Sequence, residues 1–122
     1  MTEHDIQSTF IAWCRAQRDP RLAWVHSSLN GVRTSPSQAR RAKQSGMLAG
    51  VADVFIPYPS GGLHGMWIEF KCGRNGCTAE QTAFGEYAQA AGYRWVVCRS
   101  VDEAVTAVER YLEGSNGQKS TS

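Results

Sequence analysis

Two acids and a lysine lie close together in the middle of the chain, on segments that have the pattern of adjacent strands. Asp53 lies in an apolar run, 51–56, and Glu69 and Lys71 lie in a run that alternates apolar and polar side chains, 66–71. A turn rich in Pro, Ser and Gly separates the two runs. Because alternate side chains of a strand share a face, Glu69 and Lys71 should point to the same side. We expect the two carboxylates and the ammonium group to converge at the end of a β-hairpin.

This combination of side chains suits the hydrolysis of a phosphodiester. Hard oxygen ligands bind Mg²⁺ or Mn²⁺, and such an ion polarises a phosphoryl oxygen and lowers the pKa of a water. Lys71 could position that water or offset the charge that builds on phosphorus. The alternative is a solvated strand face on which Glu69 and Lys71 form a surface ion pair, which contributes little to stability. Spacing alone does not decide between the two, because short E-x-K patterns are common.

A longer ordered set of segments resembles a known nuclease family. In chain order the set comprises NGVR (30–33), ARRAK (39–43) with Gly46 and Gly50, VAD (51–53), HGMWIEFK (64–71), TAEQ (78–81) and AGY (91–93). Together they resemble the virus-type replication-repair nuclease (VRR-NUC) domain, a branch of the PD-(D/E)xK nuclease superfamily. The resemblance spans about residues 24–112. It implies an α/β restriction-endonuclease-like core, in which helices flank a mixed central β-sheet.

The resemblance also implies roles for individual residues. Asp53 and Glu69 match the metal-binding acids of the family, with Mg²⁺ or Mn²⁺ as the cofactor, and Lys71 matches its catalytic lysine. Gln81 matches a glutamine that the family places near the site, and we count it among the catalytic residues. From the sequence alone, the favoured role of Gln81 is that of partner to Thr78 in a helix capping box, and with the resemblance both roles stand.

Two positions leave the match with the family open. A further metal ligand is expected on the first helix, where Glu3 resembles the family acid but Asp5 is close enough to compete for the assignment. Ala52 stands where the family usually has a proline before the aspartate. That proline shapes the backbone and is not a ligand, so its absence affects local geometry more than chemistry.

Basic residues are concentrated before the acid pair. The net charge of +2 is too mild to indicate a nucleic-acid-binding protein, but the distribution of charge is uneven. No acid interrupts the stretch that holds the predicted DNA-binding residues, Arg33, Arg40, Arg41 and Lys43. We expect these side chains to contact DNA phosphates, and the alternative is a solvated helix face.

Length and composition predict a single domain over 1–112 and a disordered, apolar-free tail over 113–122. One site cuts one strand, and the chain is small for an enzyme that grips a large substrate. We therefore expect a homodimeric endonuclease that acts on branched DNA such as a four-way junction. A less selective or restriction-like nickase and a non-cleaving nucleic-acid-binding module are the alternatives.

The N-terminus is polar, and no apolar run approaches the roughly 20 residues of a membrane span. We therefore expect no membrane association and a cytoplasmic location, in a bacterial host if a phage encodes the chain. Of the four cysteines, Cys14 and Cys98 lie in apolar patterns and are predicted to be buried. Cys72 and Cys77 lack the second ligand pair of a structural zinc site, so reduced loop thiols are favoured.

The coarse layout is one α/β unit. Apolar spacing predicts helices over 4–17, 79–91 and 101–112, and Ser35 followed by Pro36 predicts a short basic helix that stops near Gly46. Thr78 with Gln81, and Ser100 with Glu103, form capping-box patterns. Strands are predicted over 22–26, 52–56, 65–71 and 93–98, the last parallel to its predecessor. On these strands we expect core packing, more than base stacking, for Trp24, Trp67 and Trp95.

Overall fold

A four-stranded mixed β-sheet lies at the centre of the chain, with helices against it. The computed structural model describes residues 1–28 and 35–114. In chain order the elements are helix α1 (Glu3–Ala16), a 3-10 turn (Pro20–Leu22), β1 (His26–Ser27), α2 (Pro36–Gln44), β2 (Val54–Ile56), β3 (Met66–Phe70), α3 (Ala79–Ala90), β4 (Arg94–Cys98) and α4 (Val101–Leu112). The expected α/β class, with a mixed sheet flanked by helices, is confirmed.

The strands lie in the order β1-β2-β3-β4. The first three are antiparallel to their neighbours, whereas β4 is parallel to β3 and is reached through the crossover helix α3. In the β2–β3 hairpin, Val54 pairs with Ile68 and Ile56 pairs with Met66. Continuing this register by one residue beyond β2 places Asp53 opposite Glu69. The hairpin therefore brings the two acids together at its open end, as the alternation predicts.

One face of the sheet carries the apolar core. Met66, Ile68 and Phe70 of β3 are buried, and together with side chains of α1 and α4 they form one cluster. The rings of Phe10 and Phe70 lie 5.7 Å apart, which joins α1 to this face. On α4, the buried Tyr111 donates its hydroxyl to the backbone oxygen of Tyr58 at 2.6 Å. Removal of this apolar surface from water is the main force that holds α1 and α4 on the sheet.

Aromatic rings and a glycine hold α3 against the opposite face. The ring of Trp67 stacks on Phe55 at 4.3 Å and meets Phe84 of α3 edge-on at 5.1 Å. A Cβ atom at Gly85 would lie 2.5 Å from the indole of Trp95, a distance that real Cβ atoms essentially never show. The absence of a side chain at Gly85 therefore allows α3 to lie directly on β4.

The predicted strand over 22–26 is wrong for most of its length. Pro20–Leu22 forms a 3-10 turn, and β1 begins only at His26. Leu22 and Val25 are both buried, and their separation of three residues corresponds to a helical turn, not to the alternation of a strand. Trp24 is 79% exposed, so the prediction that it packs in the core is also wrong. Trp67 and Trp95 do lie on strands and are partly buried.

The first and last residues of the predicted helices agree with the structure to within two residues. Capping explains where the helices begin. Ser35 caps α2 and Thr78 caps α3, and in both helices a glutamine completes the reciprocal capping box. At α4, Ser100 accepts from the N–H of Glu103. The Glu103 carboxylate accepts instead from the N–H of Arg99, at 2.7 Å, so the predicted box is only half formed.

All four cysteines are free thiols. Cys14 and Cys98 are buried as predicted, and burial raises the pKa of each thiol to about 12, so neither is a reactive thiolate at neutral pH. Cys72 and Cys77 are partly exposed, in the loop after β3. Within the described part of the chain, no helix has the length and apolar character to cross a membrane. Residues 29–34, which include Arg33, and tail residues 115–122 lie outside the described residues.

Candidate active site

Asp53 and Glu69 are held at the open end of the β2–β3 hairpin by two donors. The backbone N–H of Phe70 donates to Oδ2 of Asp53 at 2.7 Å. The side-chain amide of Gln81 donates from Nε2 to Oε2 of Glu69 at 3.2 Å. The other oxygen of Glu69, Oε1, is buried and has no hydrogen-bond partner among the described residues. A buried carboxylate oxygen without a partner is costly unless a proton or a cation satisfies it.

Burial makes both acids hold protons tightly, and the charge of Asp53 adds to the effect at Glu69. Burial raises the pKa of Glu69, and the nearby charge of Asp53 raises it further, to about 8. Burial also raises the pKa of Asp53, although the N–H of Phe70 opposes that shift. The two carboxyl groups are close enough to form a hydrogen bond with each other, but only if one is protonated, because a carboxylate can only accept. At neutral pH the pair therefore favours a shared proton or a bound cation.

Lys71 and Glu3 complete the charged surroundings. Lys71 is 7% exposed, and its N–H donates to the backbone oxygen of Cys98, which extends the β3–β4 ladder by one residue. Its positive charge lowers the pKa of both Asp53 and Glu69, whereas the negative charge of Glu3 raises both. Two acids, a lysine and a further acid on α1 thus act on one another electrostatically.

The structure separates the two candidates for the acid on the first helix. Oε2 of Glu3 accepts from the N–H of Cys72 at 3.3 Å, which ties the first turn of α1 to the residue after Lys71. Asp5 is used elsewhere: its carboxylate accepts from the N–H of Thr2 at 2.9 Å and completes the α1 capping box. Of the two acids, Glu3 is therefore the one that lies beside the site.

Gln81 fills both of the roles that its sequence position allows. Its Oε1 accepts from the N–H of Thr78 at 2.8 Å, as the capping box requires, while its Nε2 donates to Glu69. The cap fixes the orientation of the amide, and the amide in turn occupies one oxygen of Glu69. The start of α3 is therefore a positioning element of the site.

Three positioning contacts were not predicted from the sequence. The Phe70 donor is a backbone group, so no side-chain pattern could reveal it. Arg99 holds the loop after Lys71 by donating from Nη1 to the oxygens of Gly73 and Asn75 at 2.9 and 2.8 Å. At Gly50, with φ +95°, a Cβ atom would lie 2.6 Å from the backbone oxygen of Glu80, so the chain that leads to Asp53 lies directly on α3. The only sequence signal for this last contact is the glycine itself.

The three predicted DNA-binding residues that the structure describes do not belong to the acid cluster. Arg40, Arg41 and Lys43 are exposed side chains of α2, and Arg33 lies in the undescribed stretch 29–34. Between α2 and Asp53 the chain passes through residues 45–52. The structure thus places the basic residues on a separate element that precedes the acids.

The donor set fits a hard divalent cation. Mg²⁺ is commonly bound through one or two carboxylates together with waters and substrate phosphate, and the Asp53–Glu69 pair offers two carboxylates with one free buried oxygen. Residues 1–28 and 35–114 contain no group of three or more His, Cys, Asp or Glu side chains that could hold a metal ion. The fit therefore rests on the pair, with Glu3 nearby but bound to the N–H of Cys72.

In the absence of metal, the chain should become less stable as pH rises. A carboxyl group whose pKa is raised by folding binds its proton more tightly when folded. Its contribution to the free energy of unfolding therefore falls as pH rises from the unfolded pKa near 4.5 to the folded pKa of about 8. We expect the free energy of unfolding in EDTA, measured with urea, to fall by on the order of 2 kcal/mol between about pH 5 and pH 8. Glu69→Gln should flatten this slope, and Glu86→Gln, an exposed control on α3, should not. A wild-type stability that is flat or rises over this range would contradict the raised pKa.

Replacing Gln81 by glutamate separates its two roles. Glutamate serves equally well as the third residue of a capping box, but it cannot donate to Glu69 and adds a negative charge beside the acids. We expect Gln81→Glu to lower the free energy of unfolding at neutral pH by about 1 to 3 kcal/mol in EDTA. Gln38→Glu makes the same change in the exposed capping box of α2 and should stay within about 0.5 kcal/mol of wild type. Equal effects of the two substitutions on the free energy of unfolding would mean that Gln81 acts only as a helix cap.

Comparison with solved structures finds the same fold in a protein described as "VRR_NUC domain protein". The two chains agree with a TM-score of 0.76 over 93% of this chain and 90% of that chain, at 24% sequence identity. No family model and no curated protein matches the sequence. The likeness confirms the fold that the sequence resemblance implied: this chain has the same mixed α/β fold as that protein.

Proposed function

We propose that the chain is a divalent-metal-dependent endonuclease that hydrolyses phosphodiester bonds in DNA at Asp53 and Glu69. The observation that carries the proposal is the buried Oε1 of Glu69, which has no partner among the described residues and lies beside a second carboxyl group. A buried anionic pair of this kind is an expensive arrangement for a protein that has no cation to bind there. The fold shared with a VRR-NUC domain protein supports the same activity.

Asp53 and Glu69 would hold Mg²⁺ or Mn²⁺, and we propose Glu3 as the further acid of the set. When bound, the ion would supply polarisation of the phosphoryl group and a more acidic water. The Phe70 N–H and the Gln81 amide each occupy one carboxylate oxygen, which leaves the second oxygen of each acid for the ion. In this proposal Gln81 acts on the reaction through Glu69.

Lys71 supplies the positive charge that phosphoryl transfer requires. Its side chain is buried beside the acid pair, where a charge acts more strongly than it would in water. The ladder bond to Cys98 and the Arg99 contacts to the following loop hold the backbone on both sides of it. A group that is already in position stabilises negative charge on the phosphate without reorganisation.

Arg33, Arg40, Arg41 and Lys43 would bind the substrate DNA. Arg40, Arg41 and Lys43 are exposed, and the sequence contains no acid between Asp19 and Asp53. Positive charge without neighbouring acids attracts the DNA backbone irrespective of sequence. These residues supply binding, and the acid pair with Lys71 supplies the chemistry.

Cleavage of DNA should stop when either metal ligand is neutralised. Asp53→Asn and Glu69→Gln each remove an anionic ligand at constant size, so we expect loss of turnover in Mg²⁺ or Mn²⁺ with DNA binding retained. Lys71→Ala should lower the rate by roughly 10²- to 10³-fold, because one preorganised stabilising group is lost. Cleavage of a labelled duplex, nick and four-way junction panel measures these effects, with Glu109→Gln as an exposed control. Full activity of either acid variant, or of wild type in excess EDTA, would refute the proposal.

We further propose that the active form is a homodimer that resolves four-way junctions. Resolution needs two symmetric incisions, and a closed two-fold dimer is the commonest way for a small chain to present two sites. Light scattering at micromolar concentration should give the mass of a dimer, and a cleavage gel should show faster incision of the junction than of the linear duplex. A monomer in the presence of DNA, or equal rates on both substrates, would leave a less selective nickase.

A further inference from the structure

Helix α2 (Pro36–Gln44) is exposed along its whole length. None of its nine side chains, all of which the structure describes, is buried, and only those of Ala39 and Ala42 are partly covered. The helices α1, α3 and α4 each bury at least two residues against the sheet. Isolated helices of this length are marginal in water, so α2 must be stabilised by something other than packing.

Complete caps at both ends supply that stabilisation. At the start, Pro36 follows Ser35, which accepts from the N–H of Gln38 at 3.2 Å and donates its own N–H to the Gln38 side chain at 3.0 Å. At the end, Gly46 has φ +111°, and the N–H groups of Gly46 and Met47 donate to Lys43 and Ala42 at 3.1 and 2.9 Å. These two bonds form a Schellman motif. The helix is therefore preformed by local interactions and free to contact a partner along one side.

The exposed side of α2 has the chemistry of a DNA-reading helix. At about 100° per residue, Ser37, Arg40, Arg41 and Gln44 share one face, opposite Ala39 and Ala42. Arginine and glutamine are the side chains that pair in bidentate fashion with guanine and adenine in the major groove. The lack of acids between Asp19 and Asp53 leaves this charge unopposed by neighbours in the sequence. The face is thus complementary to DNA in charge and in hydrogen-bonding groups.

The connection from α2 to the acid pair is short and anchored. Residues 45–52 can extend to at most about 30 Å, which is less than one helical turn of duplex at about 34 Å. Gly50 fixes this connection on the first turn of α3, where Gln81 contacts Glu69. A DNA arm that reaches the acid pair therefore passes within reach of α2.

We propose that α2 is a duplex-recognition helix that enters the major groove of the DNA arm beside the scissile phosphate. Arg40, Arg41 and Gln44 contact base edges, whereas Lys43, at the border of this face, contacts a phosphate. The B-form major groove is about 12 Å wide and accepts a helix of about that diameter. The inference rests on the proposed function for the identity of the ligand, DNA, and adds that the substrate must carry a duplex arm and that its bases are read.

Binding of the full chain in EDTA tests this inference without cleavage. The probe is a 20-base-pair DNA duplex selected from a randomised pool on the wild-type chain, compared by fluorescence anisotropy with its separate strands and with the RNA duplex of the same sequence. We expect Arg40→Ala, Arg41→Ala and Gln44→Ala each to weaken duplex binding on the order of 10-fold, and strand binding much less. The RNA duplex should bind weakly in every case, because its major groove is too narrow for side chains to read.

Lys43→Ala should behave differently from its neighbours. It should weaken binding to the duplex and the strands alike and reduce the slope of log affinity against log salt by about 0.9. Gln89→Ala on α3 and Arg110→Ala on α4 are exposed controls of matched type and should bind as wild type. Because α2 buries no side chain, all α2 variants should keep the wild-type urea midpoint, which excludes unfolding as the cause of a binding loss.

Two results would overturn the inference. One is a randomised pool that yields no base preference, and the other is a duplex-to-strand affinity ratio equal to that of wild type in the Arg40, Arg41 and Gln44 variants. Either result would mean that α2 binds DNA only through its charge. The nuclease proposal would still stand if Mg²⁺-dependent cleavage is seen. An α2-dependent duplex preference in a chain that never cleaves would have the opposite meaning: recognition by α2 would stand, and the nuclease proposal would fail.

Discussion

Burial of two carboxyl groups at the open end of one hairpin is the constraint on which the site depends. Burial raises the pKa of both acids, and the charge of Asp53 raises that of Glu69 further. Each acid has one hydrogen-bond donor, the Phe70 N–H on Asp53 and the Gln81 amide on Glu69. Lys71 opposes the same charge from the end of β3. These groups do not satisfy every carboxylate oxygen, because Oε1 of Glu69 has no hydrogen-bond partner among the described residues. A fold that buries this pair while leaving one oxygen open is organised to receive positive charge.

Close backbone approaches make α3 the element that holds this arrangement. Gly85 brings the helix onto the indole of Trp95, and Gly50 brings the chain before Asp53 onto the backbone of Glu80. At the start of the same helix, the capping box at Thr78 fixes the Gln81 amide that binds Glu69. Because a Cβ atom at either glycine would collide with its neighbour, the start of α3 has little freedom to move relative to the acids. The rigidity of the site therefore comes from packing of helix on sheet, beyond the acids themselves.

The parts predicted well from the sequence are those governed by local rules. Alternation along 66–71 gave both the core face and the approach of Asp53 to Glu69, and capping residues located the starts of α2 and α3. The parts predicted poorly depend on contacts between distant segments. Leu22, in a 3-10 turn, and Val25, after it, are both buried, so the run resembled a strand and Trp24 was wrongly assigned to the core. The choice between Glu3 and Asp5 likewise depends on a contact with Cys72, which no spacing within the first helix can reveal.

The basic helix α2 and the acid pair are stabilised in different ways, and this difference suits the separate tasks that we propose for them. The acid pair is set in the sheet by long-range packing, which gives fixed distances between charged groups at the cost of burying them. Helix α2 obtains its order from its own caps and leaves Arg40, Arg41 and Gln44 exposed. Catalytic geometry tolerates little displacement, whereas a binding helix must accommodate a substrate whose shape varies along its length. Gly50 anchors the chain between these two elements on the first turn of α3, so in the proposed function the binding helix is joined to the acid pair through a fixed backbone contact.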